Sequence, residues 1–321
     1  MDDVAELLAT QSGVVARRQI LALGLGPNDV RRMLRRDELV SLHPGVLVNH
    51  TGDPTWIQRA WGAVLYAWPA ALAGESALRA ARRHGLDSTR EEVVTVAVDR
   101  GRNLKAAPDT IDVVRRARLH GLVLWNTSPP RLRYEEAVLD LALDASDEVD
   151  AVAVLAGACG SRRTTALRLV STIAARSRVA RRRWLIAVLR DIAEGTHSVL
   201  EHGYLDRVVR PHCLPRGRRQ LVTKVGGRTA YRDVEHGLVV VELDGRIYHE
   251  SSGQRDDDLE RDLDVLVEGR PTARLGWGQV YRRPCATALK LAMLLRRHGW
   301  GGSPVPCSAP DCAVRSMSVT C

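Results

Sequence analysis

The chain has 321 residues, of which 45% are hydrophobic and 26% charged, with a formal net charge of +9 and a pI near 9.7. That length allows two or three domains with cores of their own, and the balance of residue types describes a soluble globular protein rather than a fibrous or disordered one. No apolar run approaches the length of a membrane span, the opening MDDVAELLATQSG lacks the basic start and apolar stretch of an export signal, and the six scattered cysteines argue for a reducing cytoplasm over a disulfide framework.

The basic excess is almost wholly arginine, since Lys105, Lys224 and Lys290 are the only lysines. Arginine binds phosphate through two parallel hydrogen bonds, so such a surface points to nucleic acid. The absence of Phe together with scarce Lys is also what a GC-rich genome produces.

In the first fifty residues Val4, Leu7 and Leu8 give one apolar stripe, Ile20, Leu21 and Leu23 a second, and Val30, Met33 and Leu34 a third. Three short helices are expected. Gly24-Leu25-Gly26 separates the second from the third, and Pro27-Asn28-Asp29 is a helix-start signature with Arg31, Arg32, Arg35 and Arg36 on the polar face that follows. Leu39 to Leu42, His43-Pro44-Gly45 and Val46 to Val48 then read as a two-strand wing. Together these predict a winged helix-turn-helix over residues 1–50, its arginine-rich third helix lying in the major groove of double-stranded DNA. The stretch GVVARRQILALGLGPNDVRRMLRRDELVSLHPGVLV resembles the N-terminal domain of AbiEi-type antitoxins. That resemblance implies DNA binding and a cognate toxin as a partner.

Residues 51–195 are expected to form a mixed α/β and helical connector. Asp53-Pro54 reads as an N-cap and first helical residue opening TWIQRAWGAVLYAW. A helix from about Gly74 to His84 is followed by strands at Val93 to Asp99 and Ile111 to Leu119. Four helical runs then begin at YEEAVLDLALDA. Glu135, Glu136, Asp140, Asp144 and Asp147 lack catalytic spacing and are expected on solvated helix faces.

The last third, residues 196–300, carries the densest chemistry. LVVVELDG (Leu238 to Gly245) reads as a buried strand, and side chains at i and i+2 of a strand share a face, so Glu242 and Asp244 point the same way. Asp233 ends a preceding strand (Thr229 to Asp233), with Glu235-His236-Gly237 as the hairpin turn. Three carboxylates converging at one end of a ribbon repel unless a cation sits among them, and hard oxygen ligands suit Mg²⁺ or Mn²⁺. Asp233, Glu242 and Asp244 are therefore the metal-ligand candidates.

Asp233-x(8)-Glu242-x-Asp244, then His249, then Asp258, Arg261 and Asp262, resembles the very-short-patch-repair-like branch of the PD-(D/E)xK nucleases, which carries ELDG..xH followed by D..RD. The likeness extends from Glu201, matching an acidic residue on the family's first helix, to about Trp300. It implies a central mixed sheet flanked by helices and a metal-dependent endonuclease. Glu201 would orient a second metal or the water, His249 would act as general acid or base, and Arg261 would stabilise charge on the phosphate. Where the family's third motif often ends in lysine, this chain has Asp244, which leaves the general base unassigned. The competing expectation is a non-catalytic, antitoxin-like repressor with a degenerate nuclease fold. Overall the class is α/β, in α+β arrangement. Residues 301–321, rich in Ser, Pro and Gly, are expected to be a disordered tail, and the loose spacing of Cys285, Cys307, Cys312 and Cys321 argues against structural zinc. Oligomeric state is not legible.

Overall fold

The computed structural model describes residues 2–104, 107–194, 198–225, 228–244 and 271–319. The chain divides into two units, Met1–Leu141 and Ala142–Cys321. The boundary thus falls inside the stretch expected as a connector, whose later helices group with the C-terminal sheet. No described helix is long and apolar enough to cross a membrane.

In the first unit α1 (Asp2–Thr10), α2 (Arg17–Ala22) and α3 (Pro27–Arg35) carry the three apolar stripes. The wing is β2 (Val40–His43) and β3 (Val46–Val48), turning at Gly45, whose φ of 77° favours a residue without a Cβ. A strand absent from the sequence reading, β1 (Val14–Ala16), pairs antiparallel with β3, so the order is β1-β3-β2. Side chains alternate across this small sheet. Val15 and Leu47 join Ile20, Val30, Met33 and Leu39 in one apolar cluster. Val14, Ala16, Val46 and Val48 face the other way, against Trp61 and Leu65 of α4 (Trp56–Ala67).

The N-cap of α4 is Thr55 rather than Asp53. The cause is Gln58, three residues on, whose Oε1 accepts the Thr55 N–H at 2.9 Å and completes a capping box. Five short strands follow, β4 (Ala70–Leu72), β5 (Val94–Asp99), β6 (Ile111–Arg116), β7 (Val123–Leu124) and β8 (Arg131–Leu132), in the order β6-β5-β4-β8-β7. Helices α5 (Gly74–Arg82) and α6 (Tyr134–Asp144) accompany them. Glu135, Glu136 and Asp140 of α6 are buried, contrary to the solvated face expected of them. For Asp140 the reason is an ion pair with Arg116 at the end of β6, since a carboxylate leaves water only where a cation meets it.

The second unit contains α7 (Glu148–Gly160), α8 (Ala166–Ala175), α9 (Arg182–Glu194) and α10 (Ser198–Gly203). Asp191 of α9 caps α10, accepting the Val199 N–H at 2.8 Å and the Ser198 hydroxyl at 2.5 Å. The helix expected over residues 198–210 widens after Gly203 into a π-helical turn, Tyr204–Val209, and ends in a 3-10 turn, Arg210–His212. Its sheet consists of β9 (Arg218–Val225), β10 (Arg228–His236), β11 (Val239–Asp244) and β12 (Thr272–Gly276) in the order β12-β11-β10-β9. β9, β10 and β11 run antiparallel to one another and β12 runs parallel to β11, giving the mixed sheet expected. Glu235 and His236 belong to β10, not to the turn, which is Gly237-Leu238 with Gly237 at φ 63°.

After α11 (Pro284–Arg297) the chain does not run free as expected of a tail. The Val305 N–H donates to the His212 carbonyl at 3.0 Å, Cys312 and Val314 are buried, and a 3-10 turn, Ala313–Val319, packs on α11. Two buried side chains and a backbone bond from Val305 back to the turn at His212 offset the entropy that its Ser, Pro and Gly content would otherwise win.

Candidate functional site

The surface with the clearest chemistry in the first unit is α3. Pro27 occupies its first turn and Asp29 accepts the Gly26 N–H at 2.9 Å, fixing where the helix begins. Val30 and Met33 are buried, which leaves the opposite side to the predicted arginines. Arg31, Arg35 and Arg36 are exposed and Arg32 is half-exposed. Their contacts are local: Arg31 Nη2 donates to Asn28 Oδ1 at 2.5 Å, Arg32 lies 3.4 Å from Asp29, and Arg36 lies 3.7 Å from Glu38. Solvent-exposed pairs of this kind are worth about 0–1 kcal/mol, so a phosphate oxygen displaces the carboxylate at little cost.

In the second unit the strand logic for the acids holds on β11. Val241 and Leu243 are buried while Glu242 and Asp244 are half-exposed on the other side. Glu242 is paired across the parallel ladder with Arg274 of β12, whose Nε and Nη2 donate to Glu242 Oε2 at 3.3 and 3.2 Å. Asp233 is the next residue of β10 beyond the Val234↔Val241 pair, as Glu242 is the next of β11. The chain path thus brings the two positions to one place in the sheet. The Asp233 side chain, and His249 and Arg261 entirely, lie outside the described residues. Glu201 is half-buried on α10. Arg216 and Arg218 are exposed around the start of β9.

Deeper in this unit Tyr204 and His236 form a buried pair, phenolic oxygen to Nε2 at 2.9 Å. Burial pushes the Tyr204 phenol up and holds the His236 imidazole below its ordinary 6.5, so both stay uncharged at neutral pH. The sequence reading missed a second grouping. His212 joins Cys285, Cys307 and Cys312, in the place given to Cys321, which lies outside the described residues. No local spacing announces His212, because its neighbours in space come from far along the chain.

The family model described as Transcriptional regulator, AbiEi antitoxin, matches residues 2–50. The N-terminal segment is thus similar to an AbiEi-antitoxin-type transcriptional regulator domain. Its boundaries coincide with α1 to β3, the part whose third helix displays the arginines. A search of curated proteins found no significant match.

Proposed function

We propose that the protein is a DNA-binding transcriptional regulator of the antitoxin type, which docks α3 in the major groove of duplex DNA. The observation that carries this reading is the division of α3 between Val30 and Met33, which are buried, and Arg31 and Arg35, which are exposed together with Arg36 at the C-cap. Guanidinium groups on an outward helix face release condensed counterions when they meet phosphate, so binding weakens steeply with salt. Fluorescence anisotropy of a labelled duplex against salt concentration tests it. Replacing Arg31 and Arg35 together with Ala is expected to weaken binding and to lower the slope of log K against log salt by about 2, one per lost phosphate contact. An unchanged slope would remove α3 from the interface. An antitoxin-type domain also implies a toxin as protein partner.

A second reading concerns the second unit, and the common face of Glu242 and Asp244 on β11 favours it. These donors, with Asp233, fit a Mg²⁺ or Mn²⁺ ion in type, and Arg274 supplies the positive charge against Glu242 in the structure described. Bound there, the ion would polarise a phosphodiester and lower the pKa of a water. The chain's own contribution would be to hold the nucleic-acid backbone with Arg216 and Arg218 and to keep Glu242 oriented through Arg274. Under this reading the protein is a metal-dependent endonuclease of the PD-(D/E)xK type, with Glu201, His249 and Arg261 as further participants. Plasmid nicking with Mg²⁺ or Mn²⁺ by the full chain, abolished in Asp244→Ala, is the expected result. DNA binding without cleavage under either metal would leave the regulator alone.

A further inference from the structure

The geometry points to a tetrahedral zinc site, which nothing in the regulator or endonuclease readings uses, built by His212, Cys285, Cys307 and Cys312. The ligand atoms of these four residues all lie within 4.8 Å of one another. Zinc bonds of about 2.3 Å to sulfur and about 2.0–2.1 Å to nitrogen place tetrahedral ligand atoms about 3.5–3.8 Å apart. Two opposite edges already have that length, Cys285 Sγ to Cys307 Sγ at 3.6 Å and Cys312 Sγ to His212 Nε2 at 3.6 Å. A disulfide would need the sulfurs at about 2.05 Å.

The supporting shell is in place as well. His212 is fully buried, and its Nδ1 lies 2.9 Å from the Val208 carbonyl. A carbonyl only accepts, so the proton sits on Nδ1 and the Nε2 lone pair is left facing the sulfurs, which is how metal-bound histidines are usually oriented. Cys285 follows Pro284 in the first turn of α11, so the regular backbone of the helix start fixes where its sulfur sits. Cys307 and Cys312 come from the C-terminal strap, shaped between them by the Cys312 N–H bond to Ala309 O at 3.2 Å and held by Arg315, which donates to Cys307 O at 3.3 Å and Ala309 O at 3.1 Å. Cys213, next to His212 but exposed at φ 53°, is turned out of the group. Four protein ligands fill a tetrahedron, which marks a structural site rather than a catalytic one with an open position. Zinc entering it displaces the protons of three thiols and ties three separate segments together: the turn after the π-helical stretch, the start of α11 and the strap.

The test is metal content and cobalt spectroscopy on the full chain, purified under reducing conditions without chelator. Elemental analysis is expected to find about one zinc per chain. Exchange with CoCl₂ alone is expected to give the strong visible bands of a tetrahedral ion with thiolate charge transfer. Cys307→Ser and Cys312→Ser should lose the metal, while Cys213→Ser and Cys159→Ser should keep it. Because loss of a ligand can unfold the strap, Cys312→His serves as the second variant: it preserves four ligands and is expected to cut the charge transfer by about a third while still binding one ion. The site is refuted if wild type takes up no stoichiometric zinc or cobalt, if the cobalt spectrum is the same in Cys312→His as in wild type, or if mass spectrometry of the reduced-purified protein finds Cys285 and Cys307 joined as a disulfide.

Discussion

His236 shows how one side chain is settled by its partner. In the sequence it stands between Glu235 and Gly237 and reads as part of a turn, because polar residues beside glycine usually are. In the structure the strand continues through it, and the Tyr204 hydroxyl 2.9 Å from Nε2 gives that buried ring nitrogen its partner. Two consequences follow for stability. Tyr204→Phe leaves that nitrogen buried without its partner and is expected to cost about 1–3 kcal/mol in denaturant unfolding; an unchanged midpoint would mean the pair contributes nothing. The pH effect has a definite sign. Burial lowers the folded-state pKa of His236, so as pH falls below the ordinary 6.5 the unfolded chain takes up the proton first and stability drops. His236→Gln removes this component, so its melting temperature should fall less on acidification than that of wild type. The Glu242 and Asp244 pair was legible from strand alternation alone, whereas Arg274, which holds Glu242, was not: a parallel neighbour's register leaves no trace in local sequence.

At the scale of elements, the parts read correctly were those whose signal is periodic and local. α3 announced its start, with Pro27 and Asp29, and a 3.6-residue apolar stripe inside, and it begins where expected. The wing was marked by His43-Pro44-Gly45. By contrast β1, β4, β7 and β8 have two or three residues each and went unread, because such a strand is held by its pairing partner rather than by propensity. α6 shows the same limit for charge. Its acids were assigned to solvent by composition, and only the position of Arg116 on β6 turns Asp140 inward. The arginines of α3 and its C-cap escape this ambiguity, since among the described residues their side-chain contacts are with residues two or three positions away. Among the described residues the face is bound to no other element of the fold, which is what a helix entering a groove requires.

For the whole molecule, the match over residues 2–50 and the packing disagree about what constitutes a folding domain. Periodicity closed the winged helix at residue 50, where its last strand and the following loop end. The core does not stop there. Val14, Ala16, Val46 and Val48 form one whole side of the β1-β3-β2 sheet, and what covers them is Trp61 and Leu65 of α4, with Ile57 and Tyr66 packed at the margin. Removing α4 exposes an apolar sheet face, and a fragment of about fifty residues has little other core to spare. The fragment 1–50 is therefore expected to aggregate or to melt without a cooperative transition, while 1–146, which retains all of the first unit and completes α6, is expected to melt cooperatively and to bind duplex DNA with the salt slope of the full chain. Circular dichroism melts and anisotropy on the two fragments decide it. A cooperative 1–50 that binds DNA as tightly as 1–146 would show that α4 is only a neighbour of the winged helix; failure of 1–146 to bind would instead place part of the DNA contact in the second unit, beside the exposed arginines that precede and open β9.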